Sequence, residues 1–393
     1  MKTWKKFTSA ALAAMVFASL AAGCGGEKKK EAAADSNEIV VGASFELTGN
    51  VANYGKSTLS GLKMAVEEIN KVGGINGKKL RVVESDNKSE PSEAGNAVTK
   101  LVTQDKVVAV VGPATSGCVA ASTPITTSNK IPLIAPCATA PNITVDNGKV
   151  KEFVFRACFI DPFQGRVMAE FADKNLKVKN IAILYDASSD YSKGLADVFA
   201  KTLESKGGKV VAKEAFLAKD LDFKSALTKI KGSNPEAIYI PGYYEEVAKI
   251  IKQTRELGLN VPLLGCDGWD SPKLVEIGGP AALNNTYFSS AYSAQDKEES
   301  IQKFIAGYKA MYNKEPDVFC MQGYNAGLIL ADAIKRAGGA ADGAKLAAAI
   351  AATKDLPVAS GKLTYDADHN PITSAIVIEL KDGVQTFKEK ITL

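Results

Sequence analysis

From residue 39 onward, short β-branched runs alternate with stretches whose apolar positions recur at helical spacing. Ile39-Val40-Val41-Gly42-Ala43 predicts a strand, and Leu59, Leu62, Val66 and Ile69 then fall on one helical face. Gly73-Gly74-Ile75-Asn76-Gly77 breaks the pattern. Leu80-Arg81-Val82-Val83 predicts the next strand, and Ala94, Ala97, Val98, Leu101 and Val102 the next helix. Residues 107–111 and 131–134 read as buried strands. After Arg156 the rhythm restarts. Phe163, Val167 and Phe171 mark a helix, residues 181–184 a strand, and Leu195, Val198, Phe199 and Leu203 a helix. Val210-Val211, residues 237–240 and Leu263-Leu264 predict further strands. Phe223, Ala226, Leu227 and Ile230 mark one intervening helix, and Val247, Ile250, Ile251 and Leu257 another.

Strands that alternate with helices form parallel sheets covered on both faces. Two such series predict an α/β chain of two doubly wound parallel-sheet lobes. The tail starts no third lobe. Ile301, Phe304, Ile305, Tyr308 and Met311 mark one helix, and Leu328, Ile329, Ala333 and Ile334 another, ended by Gly338-Gly339. An alanine-rich helix over 340–352 and strands at 376–378 and 385–387 close the chain. These pieces must pack back on the lobes. Several crossings between lobes make a hinge, and the cleft between them is a natural place for a ligand.

The N-terminus departs from this pattern. Lys2, Lys5 and Lys6 precede an apolar stretch over 7–20 that is short for a membrane span, and Leu20-Ala21-Ala22-Gly23-Cys24 follows. Small residues before a cysteine resemble a bacterial lipobox, which implies cleavage of residues 1–23 and lipidation of Cys24. The family pattern commonly has Leu where Ala21 stands, and here Leu20 sits one place early. Residues 24–37 are polar and of low complexity, as a tether would be. One lipid group would hold the protein at a membrane without crossing it. The 393 residues are 46% hydrophobic and 23% charged, which excludes a disordered chain and a polytopic membrane protein. Without the three leader lysines the net charge of +4 falls to +1, so no basic excess points to nucleic acid.

Enzymatic and metal chemistry find little support. The one histidine, His369, sits in the turn-rich run Asp366-Ala367-Asp368-His369-Asn370-Pro371 and reads as a surface-loop residue. A Ser-His-Asp or Cys-His enzyme would have to use it. The acidic spacing there lacks the glycine and the closing glutamate of a calcium loop, and no cofactor or metal is expected. Gly49-Asn50-Val51-Ala52-Asn53-Tyr54-Gly55-Lys56-Ser57 has five residues between its glycines where a phosphate loop has four. Beyond Cys24 the cysteines are Cys118, Cys137, Cys158, Cys266 and Cys320. With no CxxC pair and an odd number, they read as free buried thiols.

The informative residues stand at strand–helix turns, where open α/β sheets bind ligands. Thr115-Ser116-Gly117 and Cys137-Ala138-Thr139-Ala140-Pro141 follow strands of the first series. Hydroxyls and free amides at helix starts suit a carboxylate. Asp190-Tyr191, Gly242-Tyr243-Tyr244 and Asp267-Gly268-Trp269 follow strands of the second. An acid there suits an ammonium, and aromatic rings suit an apolar side chain. The plain alternative is that each is a helix cap or turn residue.

At these residues the sequence resembles the type I periplasmic binding proteins, in particular the leucine/isoleucine/valine-binding proteins of ABC importers. The likeness runs from about Ile39 to Leu380 and rests on Leu47-Thr48-Gly49 through Tyr54-Gly55, Gly73-Gly74-Ile75-Asn76-Gly77, the Ala138-Thr139-Ala140-Pro141 turn, and Asp190-Tyr191 with Gly194. The resemblance implies that Ser116 and Thr139 hold a ligand carboxylate. Thr139, the carbonyl of Cys137 and Asp267 would then hold its ammonium. Tyr54, Tyr191, Tyr243 and Phe319 would enclose its side chain, and Ala138 would contribute through its backbone. The family often has Glu where Asp267 stands, and a disulfide where Asn87 and Thr115 stand. It also implies an N-terminal lobe of 38–156 plus 290–364, a C-terminal lobe of 157–289 plus 365–393, and hinge crossings near Arg156, Ser289 and Thr364.

The expected function is a lipid-anchored, monomeric, extracytoplasmic receptor. It would capture a free amino acid, Leu, Ile or Val, and deliver it to an ABC permease. The small Ala114 keeps aromatic amino acids or amides open, and a same-fold sensor for a membrane signalling partner is the rival. Nothing in the sequence separates transport from sensing.

Overall fold

The computed structural model describes residues 37–391. The expected signal segment, Cys24 and the expected tether up to residue 36 lie outside them. Five parallel strands make the first sheet: β1 (Glu38–Phe45), β2 (Lys79–Asp86), β3 (Val110–Val111), β4 (Leu133–Ala135) and, after a small hairpin of β5 (Val145–Asp146) and β6 (Lys149–Val150), β7 (Val154–Arg156). Their order is β2-β1-β3-β4-β7. Helices α1 (Ala52–Lys71), α2 (Pro91–Thr103) and α3 (Ser116–Ser128) connect the first four strands.

The chain then crosses over. Helix α4 (Asp161–Phe171) leads to β8 (Asn180–Asp186), α5 (Asp190–Ser205), β9 (Lys209–Phe216), α6 (Lys224–Gly232), β10 (Ala237–Tyr239), α7 (Tyr244–Glu256), β11 (Leu263–Gly265), α8 (Pro272–Gly278) and β12 (Thr286–Ser290). After β12 it returns to the first sheet, which with its helices is called the first unit here and the second sheet with its helices the second, as α9 (Glu299–Tyr312), α10 (Val318–Arg336), α11 (Gly343–Ala351) and a hairpin of β13 (Leu356–Val358) and β14 (Gly361–Leu363). These helices pack on α1, β4 and β7. A third passage, over 364–374, reaches β15 (Ala375–Lys381) and β16 (Val384–Ile391).

The second sheet runs β16-β15-β12-β11-β10-β8-β9 and carries two antiparallel strands at one end. Strands β8 to β12 are parallel, but β15 pairs antiparallel with β12, and β16 with β15. The reason is local. Only Asp382-Gly383 joins β15 to β16, with φ of 50° and 80°. A two-residue loop with both φ positive makes a hairpin, and hairpin strands cannot run parallel.

Helices α1 and α10 touch almost backbone to backbone. A Cβ at Gly61 would lie 1.8 Å from the Cys320 carbonyl oxygen, and one at Gly323 would lie 2.0 Å from that of Thr58. Ser57 Oγ donates to Asp317 Oδ2 at 2.6 Å across the same seam. This approach seats Phe319 against Tyr54, with ring centroids 4.4 Å apart. All five cysteines of the described residues are free and buried. Burial raises their thiol pKa values, which leaves the thiols unreactive.

The α1–α10 seam gives a stability prediction. Gly323→Ala should destabilise the fold by about 1–3 kcal/mol, because backbone must shift to admit the methyl. Gly95→Ala on α2, where the nearest atom to the new Cβ is 3.6 Å away, should be neutral or stabilising by up to about 1 kcal/mol. Urea unfolding of the two variants checks this; equal midpoints would show that the seam relaxes freely.

Candidate functional site

Two sets of loops leave the carboxyl ends of parallel strands and meet between the sheets. They enclose a cavity of about 20 Å³, room for a single water. From the first unit come Tyr54 on α1, Ala114, Thr115 and Ser116 after β3, Cys137 and Thr139 after β4, and Phe319 on α10. From the second come Tyr191 on α5, Tyr243 after β10, and Asp267 and Gly268 after β11. Of the nine residues expected to contact a ligand, all but Ala138 line this cavity.

The first wall is polar and neutral. The buried carboxylate of Glu46 fixes the loop before α3. It accepts from the Ala114 amide at 3.0 Å, the Thr115 amide at 3.0 Å and Thr115 Oγ1 at 2.7 Å. The Thr115 side chain is thus turned to Glu46, and it caps no amide of α3. Those first-turn amides are left for whatever lies in front of them. Ser116 Oγ accepts from the Ala140 amide at 3.2 Å and ties the two turns together. Behind them the buried guanidinium of Arg156 donates to the carbonyls of Ala138 and Ala140, each at 3.0 Å. The Ala138 carbonyl is thus occupied by Arg156, and of its backbone groups only the amide is left for a ligand.

The second wall carries the charge. Asp267 Oδ1 accepts from Tyr191 Oη at 2.6 Å and from Gln164 Nε2 at 3.0 Å. The Asp267 amide donates back to Gln164 Oε1 at 3.2 Å, and Ser289 Oγ donates to that same oxygen at 2.8 Å. Gln164 Nε2 also reaches Asp161 Oδ1 at 2.9 Å, so one amide bridges two buried carboxyls. Burial pushes the Asp267 carboxyl up to about 6. Burial, and then the charge of Asp267, pushes Asp161 up to about 8. Aromatic rings form the sides. Tyr191 stacks on Tyr243 at 5.1 Å, and Tyr54 meets the edges of Tyr243 at 5.6 Å and Tyr244 at 5.0 Å. The Tyr54 hydroxyl donates to the Gly268 carbonyl and accepts from the Tyr244 amide at 3.2 Å.

Other sequence candidates take structural roles. The loop at Gly49 faces the second unit: Asn50 Nδ2 donates to Glu246 Oε1 at 2.8 Å, and its carbonyl accepts from Tyr244 Oη at 3.1 Å. His369 is half-buried, more enclosed than a surface-loop residue. Its ring stacks on Phe155 at 4.3 Å, and Nδ1 lies 2.9 Å from the Val154 carbonyl. Asp366 Oδ1 accepts from the amides of Asp368 and Asn370, closing a turn on itself. Among the described residues no three His, Cys, Asp or Glu side chains converge in a way that could hold a metal.

A Periplasmic binding protein family model matches residues 38–385. The chain belongs to that family. It is 34% identical to the Leu/Ile/Val-binding protein BraC3 of Rhizobium johnstonii, over 92% of this chain and 93% of that protein. It is 32% identical to a leucine-, isoleucine-, valine-, threonine- and alanine-binding protein of Pseudomonas aeruginosa, over 84% of this chain and 86% of that one. Two solved structures share the fold closely. The branched-chain amino acid transporter substrate-binding protein LivJ of Streptococcus pneumoniae, in complex with isoleucine, superposes with TM-score 0.84 at 38% identity, covering 90% of this chain and 98% of its own. The leucine-binding protein LivK of Thermotoga maritima gives 0.85 at 36% identity, with 90% and 98% covered. The type I binding-protein fold and the branched-chain group expected from the sequence are therefore established, and the relatives are binding proteins rather than enzymes.

Asp161, Gln164 and Glu46 escaped the sequence reading. Glu46 had a signal, a lone charge closing the run Ala43-Ser44-Phe45. Gln164 had none, because a glutamine on a helix looks like any surface position.

The buried carboxyls predict the pH response of the ligand-free protein. Asp161 and Asp267 rise to about 8 and about 6 from 3.8, so the folded form holds more protons than the unfolded chain between those limits. Stability should be greatest near the unfolded carboxylate value and should fall as pH rises through 6 and 8. Asp161→Asn should flatten the upper part of that fall. Melting temperatures across this range test it; a profile rising with pH in both proteins would contradict the assignment.

Proposed function

We propose that the protein is the extracytoplasmic receptor of an ABC importer and captures a free branched-chain amino acid between two closing lobes. The observation that carries this reading is the polarity of the cavity. Hydroxyls and uncapped helix amides stand on one unit, and an anionic carboxyl on the other, with aromatic rings between. A zwitterion matches both ends. Ser116, Thr139 and the α3 amides would take its carboxylate; Asp267, with Thr139 and the Cys137 carbonyl, would take its ammonium. Tyr54, Tyr191, Tyr243 and Phe319 would enclose an apolar side chain.

A carboxylate alone is a weaker match. A solute-binding protein of R. palustris in complex with benzoate shares the fold at 27% identity and TM-score 0.82. Such a ligand suits the first wall but leaves buried Asp267 without a cation, which costs free energy. The isoleucine of LivJ carries both charges.

In this reading the lobes are 38–156 plus 290–364 and 157–289 plus 365–393. A ligand touching both favours the closed form by its differential affinity, and the closed form docks on the permease. Cys24 carries the lipid that keeps the monomeric receptor at the membrane. Cys24→Ser should release the protein from membranes, as fractionation would reveal; unchanged membrane association would remove the lipid anchor from the model of function.

In a chain beginning at residue 37 the one tryptophan is Trp269. It is fully buried two residues beyond Asp267, its Nε1 donating to the Ile240 carbonyl at 3.0 Å. Titration with leucine, isoleucine and valine should give a saturable change in its fluorescence. Asp267→Asn and Thr139→Ala should each weaken binding by about tenfold or more, the cost of removing a partner of a charged group. Benzoate binding with no response to any of the three amino acids would overturn the ligand assignment.

A further inference from the structure

Helix α4 opens Asp161-Pro162-Phe163-Gln164, and the spacing sets the Gln164 amide beside the Asp161 carboxyl. Gln164 Nε2 donates to Asp161 Oδ1 at 2.9 Å and to Asp267 Oδ1 at 3.0 Å, so one neutral group serves two buried carboxyls. Asp161 ends the first passage between the units, and its own amide donates to the Thr139 carbonyl at 2.9 Å. It is fully buried and does not line the cavity at Asp267.

The two carboxyls are unequally served. Asp267 accepts from the Tyr191 hydroxyl as well as from Gln164. Asp161 accepts a side-chain bond only from Gln164, and its Oδ2 has no hydrogen-bond partner among the described residues. Arg156 on β7 faces it, but that guanidinium donates to the carbonyls of Ala138 and Ala140 and to Thr144 Oγ1. The other titratable groups facing Asp161 are Cys158, Cys266, Tyr191, Tyr239 and Tyr243, and burial keeps these thiols and phenols protonated. A helix start favours an anion only modestly. A buried carboxyl oxygen with no donor favours the neutral acid more strongly. Burial, and then the charge of Asp267, accordingly push Asp161 up to about 8 against the smaller pull of Thr139, Gln164 and Arg156.

We propose that Asp161 holds a proton in the ligand-free receptor and gives it up when an ammonium settles at Asp267, so that capture of an amino acid releases a proton. The O–H bond of Asp161 breaks, its oxygen keeps the electron pair, and the proton passes to solvent. The cause is electrostatic. The ammonium cancels the Asp267 charge that helps to hold the proton, and it adds a positive charge of its own. Asp161 is a positioning residue that acts through Gln164 and the local field and does not touch the ligand. The bound form then holds fewer protons than the free form. Affinity must therefore rise with pH while free Asp161 is still protonated, and level off above about 8. A ligand with a carboxylate and no ammonium has the opposite sign, because it adds negative charge and favours the neutral acid. The direction of proton exchange thus reports the charge of the ligand.

The release rests on the amino-acid reading of the cleft; the proton held by the ligand-free protein does not. Infrared difference spectra of ligand-free wild type against Asp161→Asn at neutral pH should show a protonated-carboxyl band that the variant lacks. Calorimetric titration with leucine, in buffers of differing ionisation enthalpy, should show release of about half a proton or more at about pH 7.5 in the wild type. Affinity should rise about threefold or more between about pH 7 and about pH 8.5, a range over which leucine keeps its ammonium charged. In Asp161→Asn both effects should vanish, while the lower step set by Asp267 at about 6 remains. The other buried acid nearby is Asp270, which burial raises to about 7; Asp270→Asn should leave the release in place. Identical spectra for wild type and Asp161→Asn, or leucine binding with no proton released, overturn the proposal. So does release that survives Asp161→Asn or is lost in Asp270→Asn. Failure of leucine to bind would remove the amino-acid reading and the release with it, while the spectra would still judge the proton on Asp161.

Discussion

Asp267 is a carboxyl 4% exposed, with no ion-pair partner among the described residues. Taking such a group out of water costs several kcal/mol unless charge or hydrogen bonds replace the solvent. The protein supplies only neutral donors, Tyr191 and Gln164, and burial accordingly raises its pKa to about 6. The placement of the neighbouring elements serves this group. Strand β11 delivers it, and the opening of α4 delivers Gln164. Ser289 at the end of β12 holds the far side of that amide, and α5 brings Tyr191. In the proposed reading this carboxyl, held by neutral donors and left short of countercharge, would be a preorganised receptor for a cation, its orienting bonds already in place.

The opposite wall uses the same economy with the sign reversed. Glu46 is buried too, but its two oxygens are satisfied by the Ala114 and Thr115 amides and the Thr115 hydroxyl. It anchors a turn and presents no charge to the cavity. Arg156 likewise donates to the Ala138 and Ala140 carbonyls and to Thr144 Oγ1 at 3.2 Å. These two internal charges shape the loops so that Ser116, Thr139 and the α3 amides face inward. Charges thus serve as scaffolding on the first unit, while the second presents a buried carboxyl to the cavity.

Most of this was legible in the sequence for a reason of periodicity. Buried strands in parallel sheets are continuous apolar runs, so residues 181–184 and 237–240 announced themselves. Site residues sit at the ends of such runs because open sheets bind ligands there. That placed Ser116, Thr139, Tyr191, Tyr243 and Asp267. What was hidden depends on three-dimensional pairing. The antiparallel end of the second sheet follows from the Asp382-Gly383 turn, a signal carried by two residues. Gln164 acts by reaching Asp267, 103 positions away. A guanidinium 18 residues downstream occupies the carbonyl of Ala138. No local pattern encodes either fact.

The closed arrangement is held by few bonds. Tyr54 reaches Gly268 and the Tyr244 amide, Asn50 reaches Glu246, and Lys219 Nζ meets Glu90 Oε1 at 2.6 Å. A neutral hydrogen bond contributes a net of about 0.5–1.5 kcal/mol. The Lys219–Glu90 pair is exposed and adds about 0–1 kcal/mol. Against these stands the burial of Asp267. In the proposed reading gain and cost are of the same order, an ammonium beside Asp267 would turn the cost into a gain, and the free energy for moving the lobes would come from the charge of the ligand, with the aromatic rings grading its side chain. One methylene in such a pocket is worth only about 1–3 kcal/mol. The proposed division of work would give strict demand for a zwitterion with loose discrimination among aliphatic side chains.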